Sequence, residues 1–152
     1  MRAIVAVLAV LVLGATVSVA AAAPSSASVA ASTYKPGAPV ELTFNLNYPM
    51  ECGNPGRTLT VRLPAGMRAP ARINPVAVRV NGAIPKTVET NGSTVSIPIG
   101  VRQWLTCKLL GMGKLSVVIG TAAGIANPKT AGVYGFPIAI GTIHGTPVLR
   151  IS

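Results

Sequence analysis

Val40-Glu41-Leu42-Thr43-Phe44-Asn45-Leu46-Asn47-Tyr48 alternates apolar with polar residues from end to end. A two-residue period puts the apolar side chains on one face of an extended chain, so the stretch reads as a strand with one face in a core and one in water. The alternation returns at Leu59, Val61 and Leu63, at Val76, Val78 and Val80, and at Val95, Ile97 and Ile99. It returns again at Leu115, Val117 and Ile119, at Tyr134, Phe136, Ile138 and Ile140, and at Leu149 with Ile151; a weaker strand is expected near Val29. No window carries the stripe of a long amphipathic helix.

Turn formers stand between these runs: Pro36-Gly37, Asn54-Pro55-Gly56, Pro64-Ala65-Gly66, Asn81-Gly82, Asn91-Gly92, Gly111-Met112-Gly113 and Asn127-Pro128. Asn-Gly between alternating runs is a strong hairpin signal. Of the two such pairs Asn91-Gly92 is the better hairpin, with Val88 expected opposite Val95. Pro98 and Pro137 lie inside strand patterns, where a missing N–H is tolerated at an edge or a bulge. Seven to eight short strands with regular turns predict an all-β fold, a single antiparallel two-sheet β-sandwich, immunoglobulin-like in the broad sense. A small barrel is the alternative.

The chain opens differently. Met1-Arg2, an unbroken apolar run from Ala3 to Leu13 and a small-residue stretch ending at Ala23 read as a secretory signal peptide over residues 1–22, cleaved after Ala20 or Ala22. An uncleaved anchor is the alternative, weakened by Gly14, Thr16 and Ser18. Residues 23–33 are then a short linker or first edge strand, and residues 34–152 the sandwich domain. Removing the leader takes Lys plus Arg from 13 to 12 against 3 Glu, so the mature chain stays formally at +9. No second long apolar run follows, so no membrane span is expected in the mature protein, which is secreted and either released or held at the cell envelope.

Cys52 and Cys107 are the only cysteines, and in an exported chain they are expected to pair. Closing a loop of about 56 residues would contribute roughly 4 kcal/mol in the chain-entropy model. Two free thiols are the alternative. With one distant histidine, His144, they do not complete a tetrahedral metal set, so no metal and no cofactor is expected.

Three carboxylates, Glu41, Glu51 and Glu89, and one imidazole leave little for acid–base or nucleophilic chemistry. Neither a nucleophile elbow nor P-loop spacing is present, and Gly111-Met112-Gly113-Lys114 precedes a strand where a phosphate cradle needs a helix. No catalytic residue is assigned, and an enzyme is not expected.

The densest charge feature is Arg57, Arg62, Arg68, Arg72 and Arg79, with no acidic residue among them. Such a field draws anionic polymers, and these five are the candidate anion-binding residues. The alternative is a surface that only keeps an apolar chain in solution. Sequence-specific nucleic-acid binding is not expected, because aromatic interleaving and a recognition motif are both missing. Trp104, close before Cys107, is a candidate ligand platform that could stack on a sugar; packing against the disulfide is the alternative.

Gly124-Ile125-Ala126-Asn127-Pro128-Lys129-Thr130-Ala131-Gly132-Val133-Tyr134 resembles the Gly-Ile-x-Asn-Pro-x-x-Ala-Gly-x-Tyr signature of β-sandwich modules in secreted and cell-surface proteins of bacteria and archaea. Leu63-Pro64-Ala65-Gly66, Val78-Arg79-Val80-Asn81-Gly82 and Gly92-Ser93-Thr94-Val95-Ser96-Ile97 extend the resemblance upstream. It implies a sandwich in a surface setting and no reaction. The signature also has a reading as a structural turn: Asn127 caps the turn with its side-chain carbonyl, Pro128 presets φ, Gly132 adopts a left-handed conformation, and Tyr134 enters the core with its hydroxyl on nearby backbone.

Two functions follow as expectations. One is a non-enzymatic structural or interaction protein of the cell envelope, held by a surface protein or an anionic polymer. The other is a soluble binding module for an anionic polysaccharide or another polyanion. The oligomeric state is not legible.

Overall fold

The computed structural model describes residues 26–48, 58–99, 113–141 and 143–152. Within them the alternations become strands: β1 (Ser26–Ala31), β2 (Leu42–Tyr48), β3 (Thr58–Arg62), β4 (Val78–Val80), β5 (Glu89–Thr90), β6 (Thr94–Pro98), β7 (Gly113–Ile119), β8 (Gly132–Gly135), β9 (Ile138–Ile140), β10 (Ile143–Gly145) and β11 (Val148–Ile151). All the pairings between them are antiparallel. One sheet runs β1-β2-β7-β4, a second β10-β9-β3-β6-β5, and β11-β8 form a short third ribbon. The only helical segments among the described residues are two 3₁₀ turns, Pro75–Ala77 and Thr121–Ala123.

The inner faces are those the alternation picks out. Leu42 and Phe44 of β2, Val117 and Ile119 of β7, Leu59 and Val61 of β3 and Val95 and Ile97 of β6 are all buried in one apolar cluster. Each such side chain stabilises the fold by about 1.5–3 kcal/mol. Phe44 meets Phe136 edge to face, ring centres 5.7 Å apart, joining β2 to the segment between β8 and β9. The architecture is thus an all-β sandwich.

The strands outnumber the expected seven to eight because several are very short and because one predicted strand divides. Tyr134 to Ile140 does not run as a single strand. It breaks at Phe136-Pro137 into β8, paired with β11, and β9, paired with β3. Pro137 has no N–H for a ladder, yet its carbonyl accepts from the Arg62 N–H at 2.8 Å, so it forms the corner between the two. Val76 also departs from its alternation and is exposed, because Asn74 caps a 3₁₀ turn by accepting the Val76 N–H at 3.2 Å, with Pro75 at the first position. The weaker strand near Val29 is β1, an edge strand in register with β2 from Ser26↔Asn47 to Ala31↔Leu42.

Both Asn-Gly pairs turn the chain. Asn81 (φ 47°) and Gly82 (φ 82°) make the tighter one, with Val80 and Ala83 exchanging both backbone hydrogen bonds. Two consecutive positive φ values define a type I′ turn, which Asn-Gly tolerates best. Asn81 is held further: its Oδ1 accepts from the Ser116 N–H at 2.7 Å and its Nδ2 donates to the Lys114 carbonyl at 3.3 Å. At Asn91-Gly92 the hairpin joins β5 to β6, but Thr90 rather than Val88 stands opposite Val95.

Candidate functional site

At the end of the sandwich where β3 finishes, the chain leaves Arg62 into a long connection that crosses to β4. Its first part is clasped to the β5–β6 hairpin. The Leu63 N–H donates to the Ser93 carbonyl at 2.7 Å, and the Ala69 N–H to the Gly92 carbonyl at 2.9 Å. Between these clasps residues 64–68 arch outward, closed by a Met67 N–H to Pro64 carbonyl bond at 3.0 Å and anchored by the buried Met67 side chain. Farther along, the Thr90 hydroxyl donates to the Pro70 carbonyl at 2.6 Å. Arch and hairpin enclose an open groove of about 430 Å³ whose lining includes Arg62, Arg68, Asn91, Gly92 and Ser93.

The five arginines of the sequence cluster therefore do not form one face. Arg62 and Arg68 are exposed and line the groove. Arg72 is exposed farther along the connection. Arg79 is half-buried on the outer side of the other sheet, because Val78 and Val80 take its inner side. Its guanidinium Nη1 donates to the Val76 carbonyl at 2.7 Å and the Val78 carbonyl at 3.1 Å, which braces the 3₁₀ turn. Alternation tells which face of a strand is wet, not which sheet owns it, so Arg62 and Arg79 look like neighbours in sequence and face opposite ways in the fold. Asn91 and Ser93 belong to the groove and were not singled out as binding residues; the Asn-Gly hairpin beside the arginines was their signal. Arg57, Trp104, Cys52 and Cys107 lie outside the described residues, as does the leader over residues 1–22.

The signature segment packs at the same end of the sandwich. The Pro39–Ala126 bridge, the Val40 N–H to Ile125 carbonyl bond and the Asn127 N–H to Ala38 carbonyl bond lay it along the strap that leads into β2. Asn127 works differently from the sequence expectation. Its side chain is buried and donates through Nδ2 to the Thr33 carbonyl at 2.9 Å and the Lys35 carbonyl at 3.0 Å, while Oδ1 accepts no hydrogen bond. The amide thus ties two distant loops together instead of capping its own turn. Pro128 is buried behind it, and its carbonyl accepts from the Gly37 N–H at 3.0 Å.

Gly132 is not left-handed either; it opens β8, and the left-handed glycine of the segment is Gly124 (φ 74°), which ends the 3₁₀ turn Thr121–Ala123. Gly132 lies close to Tyr134: a Cβ there would sit 3.4 Å from the ring, at the edge of ordinary van der Waals contact. Tyr134 is half-buried against the core rather than inside it. Its hydroxyl donates to the Thr130 carbonyl at 2.9 Å and lies 2.8 Å from the Thr130 hydroxyl.

A smaller cavity, about 150 Å³, opens between β1 and β10 and is lined by Ser26, Leu46, Ile138, Ile143, the exposed His144 and Thr146, with no carboxylate among its lining residues. Among the described residues no three His, Cys, Asp or Glu side chains gather to hold a metal, and no helix is long and apolar enough to cross a membrane.

The class these features define is an all-β sandwich with a basic, hydrogen-bonded groove at one end. No family model and no curated protein matches the chain. Among solved structures it is similar to BslA, described as a bacterial hydrophobin, at 18% identity and a TM-score of 0.53, over 84% of this chain and 96% of that one. At that identity the likeness is one of fold.

Proposed function

We propose that the chain is a secreted, non-enzymatic β-sandwich protein of the bacterial cell surface, which works by holding to an interface or a partner and not by a reaction. The observation that carries this reading is the sandwich itself, whose likeness to the structure described as a bacterial hydrophobin spans 84% of this chain and 96% of that one. Exposed Lys35, Arg62, Arg68, Arg72 and Lys129 give it basic surface for an anionic envelope polymer. In sequence the segments 49–57 and 100–112 add Met50, Val101, Trp104, Leu105, Leu109 and Leu110 beside Glu51, Arg57, Arg102 and Lys108, an amphipathic composition suited to a boundary between water and a less polar phase. The signal-peptide reading of residues 1–22, the resemblance to secreted modules and the hydrophobin described for the similar structure all support it.

The test is adsorption. The oxidised mature protein is spread against air and against oil, its surface pressure followed with time, and its retention on cell-envelope fractions compared with that of a basic control protein of equal charge. A stable film together with retention after the control has washed off is the expected result, and Trp104→Ser/Leu109→Ser is expected to weaken both. Absence of a film combined with release alongside the control would overturn the reading.

A second reading, a soluble module that captures an acidic polymer, is favoured by the groove at the basic end.

A further inference from the structure

We infer that the groove between the Arg62–Arg68 arch and the Asn91–Ser93 hairpin is a binding site for an acidic polysaccharide, with Arg62 and Arg68 on its charged group and Asn91 and Ser93 on its hydroxyls. This rests on the second reading, capture of an acidic polymer, and assigns it to one place on the molecule.

Three carbonyls of the groove wall are engaged in building it: Gly92 O takes the Ala69 N–H, Ser93 O the Leu63 N–H and Pro64 O the Met67 N–H. The Asn91 Oδ1 accepts from the Thr94 N–H at 2.9 Å, which fixes the carboxamide and turns its NH₂ away from that bond. The polar side chains that the wall offers a ligand are two guanidinium forks, an amide NH₂ and the exposed Ser93 hydroxyl, donors for the most part. No lining residue is acidic. Two arginines without a carboxylate partner among the described residues match oxyanions, which accept from the planar fork in bidentate fashion.

The size and the rest of the lining narrow the class. A volume of about 430 Å³ falls in the range of about 300–1,000 Å³ usual for small-ligand sites, more than a lone ion needs. The groove is open to solvent, so a segment of a longer chain can reach it. No aromatic ring lines it, so nucleic-acid bases would find nothing to stack on. Amide and hydroxyl groups between the arginines suit a polymer that carries hydroxyls between its charges. Because the clasps hold arch to hairpin before any ligand arrives, little ordering is left to oppose binding.

The experiment compares two double variants of the full secreted chain that lose the same charge. Arg62→Gln/Arg68→Gln removes the groove's forks, and Lys86→Gln/Arg150→Gln removes two exposed charges outside it. Binding of dextran sulfate, phosphorylated dextran, polygalacturonate and single-stranded DNA is measured at physiological ionic strength, with thermal unfolding checked for each variant. All four substituted side chains are exposed, so folding is expected to be unchanged. The groove variant is expected to lose about tenfold or more in affinity for the preferred acidic polysaccharide, and the control about twofold. The polysaccharide bound most tightly identifies the charged group as sulfate, phosphate or carboxylate. Equal losses in both variants would overturn the site while leaving polymer capture standing, and no binding to any polymer would overturn both. DNA bound as tightly as the polysaccharides, and lost in the same variant, would overturn the polysaccharide assignment.

Discussion

Asn127 reaches Thr33 across 94 positions of the chain: its Nδ2 donates to the Thr33 carbonyl at 2.9 Å and, at 3.0 Å, to the Lys35 carbonyl as well. Both acceptors are backbone groups of the strap between β1 and β2, so one buried amide fixes how that strap lies on the signature turn. Asn127→Ala leaves both carbonyls without this donor and is expected to cost about 1–3 kcal/mol. Asn127→Asp is expected to cost more near neutral pH, because an ionised carboxylate can donate to neither carbonyl and must itself be buried. Urea unfolding of the two variants checks the order. Equal stability of both with the parent protein would mean that the strap is held by other contacts.

Gly132 and Tyr134 are close neighbours at the start of β8. A methyl at position 132 would lie 3.4 Å from the tyrosine ring, at the edge of ordinary van der Waals contact, so Gly132→Ala is expected to change stability by less than about 1 kcal/mol. Tyr134→Phe keeps the ring and loses its hydroxyl bonds to Thr130, again about 1 kcal/mol. Urea unfolding of both variants checks this, and a loss well above about 1 kcal/mol for Gly132→Ala would mean that the half-buried ring cannot shift to admit a methyl.

How far such relationships can be read ahead of the fold depends on their range. The strand character of β2, β3, β6 and β7 is local, set by alternation, and legible. The break at Phe136-Pro137 and the 3₁₀ turn at Asn74-Pro75 also had local signals, proline within or beside a strand pattern, but those signals competed with an apolar period that continued through them. Asn127 was recognisable as a turn residue, whereas its partners at Thr33 and Lys35 exist only once the strap is folded over it. The same holds for the groove. Arg62, Arg68, Asn91 and Ser93 come together because β3 and β6 pair in register and the hairpin clasps the arch, a long-range fact that residue spacing does not encode.

Phe44 and Phe136 join the four-stranded sheet to the corner between the other two. Both rings are fully buried, and their edge-to-face contact at 5.7 Å brings an interaction beyond the burial of each. Phe44→Ala and Phe136→Ala are each expected to cost about 3–5 kcal/mol. Their double variant should cost less than the sum by about 0.5–1.5 kcal/mol. Denaturant titration of the three variants measures this directly, and full additivity would mean that the rings pack against the surrounding aliphatic side chains and contribute nothing to one another.

Cys52 and Cys107 lie outside the described residues, and their pairing remains an expectation from the sequence. Tyr48 ends β2 opposite Gly113, the first residue of β7, and Thr58 begins β3 opposite Pro98, the last residue of β6. In chain order Cys52 falls between β2 and β3 and Cys107 between β6 and β7, each between strands of different sheets. The oxidised mature protein is therefore expected to show no titratable thiol under denaturing conditions and, as its main species, a Cys52–Cys107 peptide pair on non-reducing digestion. Cys52→Ser/Cys107→Ser should lower stability by up to about 4 kcal/mol, the loop-entropy contribution of the bridge. Two reactive thiols in protein recovered from the oxidising compartment would count against the bridge, and the stability of the sandwich would then rest on its apolar core alone.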